Sequence, residues 1–244
     1  MAIHVLTSPK IYVGEYDLSG DMNSLASTYS GEPQDNTCFG ATTRTVQGGL
    51  KKVTFSAEGY WSGGVGEVDD VLFNDINVAD VPVTLVPEGE TLANACYSFR
   101  CMGGEYSPGG TVGEMFRFSV SAEGTGSTGP VRGTLFHVGS ETTTGANAAK
   151  VQIGAVTAGK SLYAALHVLT VSGTDPTLDV LVRSDADASA GGESTRITFT
   201  QATGITSEWK SVAGAITDTY WDVSWTIGGT NTPTFEFVVS VGIL

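Results

Sequence analysis

The 244-residue chain sets 12 Lys and Arg against 26 Asp and Glu, a formal charge of −14, and contains 32 Gly with 41% hydrophobic residues. Such a charge leaves no broad cationic face to release counterions from nucleic acid, which argues against a nucleic-acid reader. The hydrophobic fraction is ordinary for a globular protein, so the glycine marks dense turns and not disorder.

Val, Thr and Ser dominate where helix-favouring runs of Ala, Leu, Glu and Lys are scarce, the composition of short strands joined by tight turns. Met1 to Gly14 shows no basic leader followed by an apolar core, so no secretory signal is expected, and no apolar stretch is long enough to insert in a membrane. Cys38, Cys96 and Cys101 lack paired ligand spacing and read as reduced thiols of a protein made in a cytoplasm.

In chain order, residues 1–138 read as a first β domain. Weak patterning between Asp17 and Gly49 predicts a long polar loop, functional or mobile in character. Strands are expected over Lys52 to Ala57, Val81 to Val86, Ala95 to Met102 and Met115 to Ala122. One helix is expected from Val68 to Ile76, with Val68, Val71, Leu72 and Ile76 on one side and Glu67, Asp69 and Asp70 where the helix dipole favours negative charge. The repeated Ser56 Ala57 Glu58 Gly59 and Ser121 Ala122 Glu123 Gly124 read as equivalent strand ends.

Residues 139–149, rich in Thr, Gly and Ala, predict a linker. Residues 150–244 read as a second domain, a β-sandwich of five strands: Leu162 to Val171, Thr177 to Arg183, Thr195 to Gln201, Tyr220 to Ile227 and Thr234 to Val241. Alternation puts Trp221 and Trp225 on one inner face.

Catalytic chemistry is not expected. His4, His137 and His167 stand in no nucleophile motif, and His167 reads as a strand-surface imidazole. Asp185, Asp187 and Glu193 flank two glycines as a calcium ligand set could, but their spacing favours a solvated acidic turn. Neither metal nor cofactor is implied. Trp209, between Glu208 and Lys210, is the best exposed aromatic for a glycan contact, which leaves a phage or cell-surface adhesion module as an alternative function.

An ordered series of short motifs runs through residues 10 to 135: Asp17 Leu18 Ser19 Gly20 with Asn23 and Ser24, then Cys38 Phe39 Gly40, Arg44, and Gly48 Gly49 Leu50 Lys51 before the strand ending Ser56 Ala57 Glu58 Gly59. Tyr106 Ser107 Pro108 Gly109 Gly110 and Ser121 Ala122 Glu123 Gly124 follow. In this order the chain resembles tail tube proteins of long-tailed double-stranded DNA bacteriophages. It departs at Cys38, where the family often has a Thr-like residue, and at Gly48, where Pro is common.

The resemblance implies a β-barrel or sandwich subunit that closes with itself into rings, usually hexamers, stacked into a hollow virion tail tube. Other tail proteins would meet its ends, and genomic DNA would pass through without specific binding, helped by carboxylates along the bore. It also implies an assembly interface at Asp17, Leu18, Ser19, Gly20, Asn23, Leu25, Phe39, Gly40, Arg44, Gly49 and Leu50, with Leu18, Leu25 and Phe39 buried between copies. A capsid or head-decoration protein is a third reading.

Overall fold

A computed structural model describes residues 6, 8–189 and 191–244; His4 lies outside them. The fold is all-β, with antiparallel pairing between its strands and one short helix among the described residues. The first strands are β1 (Lys10–Val13), β2 (Tyr16–Asp17), β3 (Met22–Asp35) and β4 (Val46–Tyr60), followed by helix α1 (Val68–Asn74). Next come β5 (Val81–Val86), β6 (Ala95–Gly109), β7 (Arg117–Gly124), β8 (Val131–Glu141), β9 (Gly145–Ala146) and β10 (Val151–Gln152). The last are β11 (Ser161–Asp185), β12 (Ser194–Thr198), β13 (Thr206–Ala213) and β14 (Tyr220–Ile243).

Two compact units form, and neither is continuous in sequence. One gathers residues 1–20, 81–100 and 131–244, the other residues 21–80 and 101–130. This partition differs from a division at 139–149. Residues of that expected linker belong to β8 and β9, which both pair with β14 inside the first unit. The reason is physical: sheet partners are chosen by complementary edges and not by nearness along the chain.

In the first unit the strand order is β12-β11-β14-β8-β6-β5-β1-β2, with β13 added to β11 and with β9 and β10 added to β14. Its spine is the β11–β14 ladder, paired from Leu162↔Ile243 to Asp185↔Tyr220. Four of the five strands expected after residue 150 are therefore halves of these two. Register shifts interrupt the ladder near Thr174, where Gly173 and Gly229 take φ of +109° and +118°. A Cβ at Gly173 would sit 2.7 Å from the Cα of Pro233, so only glycine fits this corner.

Leu162, Leu166 and Val168 from one half of the ladder share a core with Leu178, Val180, Trp221 and Val223 from the other. The ladder therefore folds over and packs its halves face to face. Val238, alternating with Phe237 and Val239, joins Tyr12, Val86, Cys96 and Leu135 in a second cluster on the opposite strand face.

In the second unit the order is β3-β4-β7-β6, where β6 contributes Cys101–Gly109. Val53, Phe55, Ala57, Phe118, Val120 and Ala122 are buried on one sheet face, and α1 buries Val68, Val71 and Leu72. The helix ends at Asn74, one half-turn before the expected Ile76, whose backbone instead bridges Gly103. Both Ser-Ala-Glu-Gly repeats do fall at strand ends. There, a Cβ on Gly59 would lie 2.0 Å from the carbonyl oxygen of Asp21, and one on Gly124 would lie 2.0 Å from the Val53 side chain.

Candidate assembly interface

The expected polar loop is a β-hairpin. β3 and β4 pair from Met22↔Gly59 to Asp35↔Val46, and β7 covers the other edge of β4 only from Thr54 onward. Residues 46–53 and their partners therefore form a two-stranded arm, about 25 Å long at the usual strand rise. From residue 26 to residue 48 every side chain is exposed, on both faces. A two-stranded ribbon wetted on both faces is marginally stable in water by itself. It also leaves the outer backbone edge of β3 without a strand partner among the described residues, a template for another chain.

The tip is nonetheless organised. Ala41 N donates to Cys38 O (3.2 Å) with Gly40 at φ +89°, a type II turn that puts Phe39 at its apex. Thr37 closes the base by accepting from Thr45 N (2.9 Å) and donating to Thr45 O (3.3 Å), while Arg44 Nε donates to Asp35 Oδ2 (2.9 Å). Hydrogen bonds from Thr37 hold the Asp35 carboxyl below its ordinary range. Phe39 is fully exposed, and Leu50 on the shaft is 87% exposed. Gly49 meets a bulge: the register slips between Gly31 and Pro33, and a Cβ there would lie 2.3 Å from Glu32 O. Phe39, Gly40, Arg44, Gly49 and Leu50 thus lie on one arm, with Asn23 exposed and Leu25 half-buried near its root.

Asp17, Leu18, Ser19 and Gly20 do something else. Leu18 is 1% exposed, already in the core of its own chain, which removes it from any interface between copies. Its neighbours close the turn after β2: Ile11 N donates to Ser19 Oγ (2.9 Å), and Asp17 Oδ1 accepts from Ser19 N (2.9 Å) and Ser19 Oγ. Lys10 Nζ pairs with Asp17 at 3.0 Å.

The other expected chemistry is structural. Lys150 Nζ sits where a cation would, 2.5 Å from Asp185 and 3.1 Å from Glu193, and bonds Ser189 O. Backbone N–H groups at Gly191 and Glu193, then Lys150, hold the Glu193 carboxyl down at about 2. Trp221 and Trp225 are buried, with indole N–H bonds to Gly154 O (2.8 Å) and Thr143 O (2.9 Å). Trp209 is half-buried with its ring 5.8 Å from that of Tyr163, not a free platform. Cys96 and Cys101 are buried, their thiols pushed up to about 12 by desolvation, and Cys38 is exposed at the arm tip.

His167 is not on the strand surface; it is fully buried. Its ring bonds Gly14 O through Nδ1 (2.6 Å) and Thr84 Oγ1 through Nε2 (2.8 Å), within a network that includes Ser98 and Ser240. His137 stacks on Phe237 at 4.1 Å and lies 4.5 Å from Trp225, while its Nε2 has no hydrogen-bond partner among the described residues and stands 4.0 Å from Glu141 Oε1. Burial pulls both imidazoles down to about 4, against opposing hydrogen bonds.

The folded state then resists a proton that the unfolded chain accepts near 6.5, so stability is full above pH 6.5 and falls as the pH drops toward 4. The loss is on the order of 3 kcal/mol per ring by pH 4. His137→Phe, which keeps the stack and removes the titration, is expected to melt higher than wild type at pH 4.5 and equally at pH 7.5. Equal melting temperatures at both pH values would show that His137 is protonated without penalty.

No helix among the described residues is long and apolar enough to cross a membrane. No family model and no characterised protein matches the sequence. Among solved structures, a chain of the virion of a native gene transfer agent particle overlays with a TM-score of 0.36 at 12% identity, covering 44% of this chain and 82% of that one. A chain of the tail of an empty gene transfer agent particle, refined with C6 symmetry, gives 0.37 at 12% identity over 47% and 91%. A chain of the phage p2 baseplate in its activated conformation gives 0.31 at 11% identity over 95% and 97%. Overlays this loose establish neither fold nor role.

Proposed function

We propose that the protein is a structural subunit that polymerises with copies of itself, and specifically a tube-forming subunit of a phage-type tail. One observation carries the reading: an arm solvated on both faces that holds Phe39 in water at the apex of a hydrogen-bonded turn. A partner that covers the arm supplies the burial the single chain lacks, and one unpaired edge meeting another copy gives a heterologous contact that closes into rings or continues as a filament. The motif order over residues 10 to 135 supports the tail tube form of this reading. So does the solvent face of the β3-β4-β7-β6 sheet, where Ser24, Ser56, Glu58, Glu105, Ser119 and Ser121 lie together. Hydroxyls and carboxylates of that kind suit a bore that DNA must traverse without adhering. No catalytic role is proposed.

Negative-stain images of the purified chain, with sedimentation over a wide concentration range, test this. Rings or hollow filaments are expected. A single monomeric boundary at millimolar concentration would end the reading.

A further inference from the structure

Among the described ion pairs, one lysine is both buried and held against two carboxyl groups. The Lys150 side chain is 6% exposed, that of Asp185 9% and that of Glu193 16%, with Lys150 Nζ 2.5 Å from Asp185 Oδ2 and 3.1 Å from Glu193 Oε1. Lys10 has partners of the same kind, Asp17 and Glu90 at 3.0 Å each, but there the three side chains are 28%, 30% and 35% exposed. Arg183 and Arg196 pair with Asp222 and Asp218, yet a guanidinium keeps its proton and is no nucleophile. Lys150 alone among these pairs combines an amine, a carboxyl in contact and shelter from water.

Strand pairing fixes the meeting. β14 lies between β10 and β11, so Gln152, Tyr220 and Asp185 stand side by side across three strands, as do Val151, Trp221 and Ser184. Lys150, two residues before Gln152, therefore emerges on the Asp185 face and reaches across β14. Thr219 N donates to Asp185 O (3.2 Å), Gly191 N to Glu193 Oε1 (3.0 Å) and Lys150 Nζ to Ser189 O, which hold the turn after β11 around the amine.

We infer that Lys150 and Asp185 condense into an intramolecular isopeptide bond once the chain has folded, with Glu193 as the proton carrier. The bond is independent of self-assembly. Burial supplies the driving force, because two charges taken out of water are costly and condensation removes both. Oδ2 is one bond from Cγ, so the amine is already near the roughly 3–3.5 Å of a near-attack arrangement, and the carboxyl has only to turn about its Cβ–Cγ bond, a soft torsion.

Lys150 first passes one ammonium proton to the Asp185 carboxylate, which leaves a neutral amine beside a carboxylic acid. The Nζ lone pair then forms a bond to Cγ, and the carbonyl electron pair moves onto oxygen; the Asp187 N–H, 3.4 Å from Oδ1, is placed to stabilise that charge. Backbone N–H groups of Gly191 and Glu193 keep the Glu193 carboxyl ionised and able to accept. It takes a proton from the cationic nitrogen and delivers it to the hydroxyl, which departs with its bonding pair as water while the carbonyl re-forms. A secondary amide and one water replace the ammonium and the carboxylate, Glu193 ends as it began, and no oxidant or cofactor is consumed.

Intact-mass spectrometry of the purified chain reads the bond directly. The folded protein should weigh one water less than its sequence, with or without Met1, and a tryptic digest should contain residues 133–160, uncut after Lys150, joined to residues 184–196. Lys150→Arg, which keeps the charge, should have its full sequence mass while circular dichroism shows that it folds. Glu193→Gln, followed from the end of a pulse of synthesis, should lose the water roughly a hundredfold more slowly than wild type. Full sequence mass in the folded wild type overturns the proposal and leaves Lys150 as an ion pair. So does a water lost elsewhere, whether mapped away from Asp185 or still missing in Lys150→Arg.

Discussion

Trimming the arm is expected to yield a folded protein that no longer polymerises. Tyr29 and Val53 are directly paired, so replacing Ser30 to Lys52 by Asn-Gly leaves a tight hairpin at a point where the ladder already brings the strands together. The excised segment buries no side chain, while Val53, Phe55 and Ala57, which do, remain. Stability of the monomer should therefore change by less than about 1 kcal/mol, the range of surface changes, while the sedimenting polymer disappears. Removing Asn23 to Phe39 would be a poor substitute, because it takes away the strand that pairs with β4 beside the core. Polymers of normal length from the trimmed chain would show that the arm is ornamental.

The second large effect lies in the first unit. Trp221→Ala empties the centre of the core shared by both halves of the β11–β14 ladder, and strands the carbonyl of Gly154 without its indole donor. A loss of about 3–5 kcal/mol is expected, by analogy with large aromatic deletions in cores, with a fall in melting temperature of roughly 10 °C. Measuring it in the arm-trimmed background keeps polymerisation from contributing to apparent stability. Trp209→Ala, at a half-buried position on β13, is the internal control and should cost well under half as much. Equal losses at the two positions would contradict a core centred on Trp221.

How far the fold was legible follows from where burial is one-sided. Val81 to Val86 was readable to the residue because its side chains are all buried, in a run of Val, Pro and Leu broken only by Thr84. Phe118, Val120 and Ala122 alternate in sequence with Arg117, Ser119 and Ser121, and burial follows that alternation. The arm gave no such signal. Its strands are wet on both faces, so nothing alternates, and a paired hairpin had the composition of a loop. β13 was missed for a related reason, since most of its residues are half-buried whichever face they occupy. Gly173 and Gly229 lie in the gaps between strands expected to be separate, although the ladder passes through them as a corner. Discontinuous units could not be read in chain order, because the signal that Val81 returns to the partner of β1 lies in pairing across distant sequence.

Among the candidate interface residues, Phe39, Gly40, Arg44, Gly49 and Leu50 were grouped by motif order alone, and the structure gathers them on one arm. Leu18 was grouped with them by the same motif order. It is instead the plug beneath the Asp17–Ser19 turn.

The hairpin also acts as a gauge. If the arm spans from one copy to the next, the distance between copies is counted in residue pairs along β3 and β4. Adding a single residue to each strand would turn the wrong faces outward at the tip. The pitch of the polymer can then change only in increments of two residues per strand, about 7 Å apiece, so relatives of this chain should differ in period by discrete notches and not by a continuum.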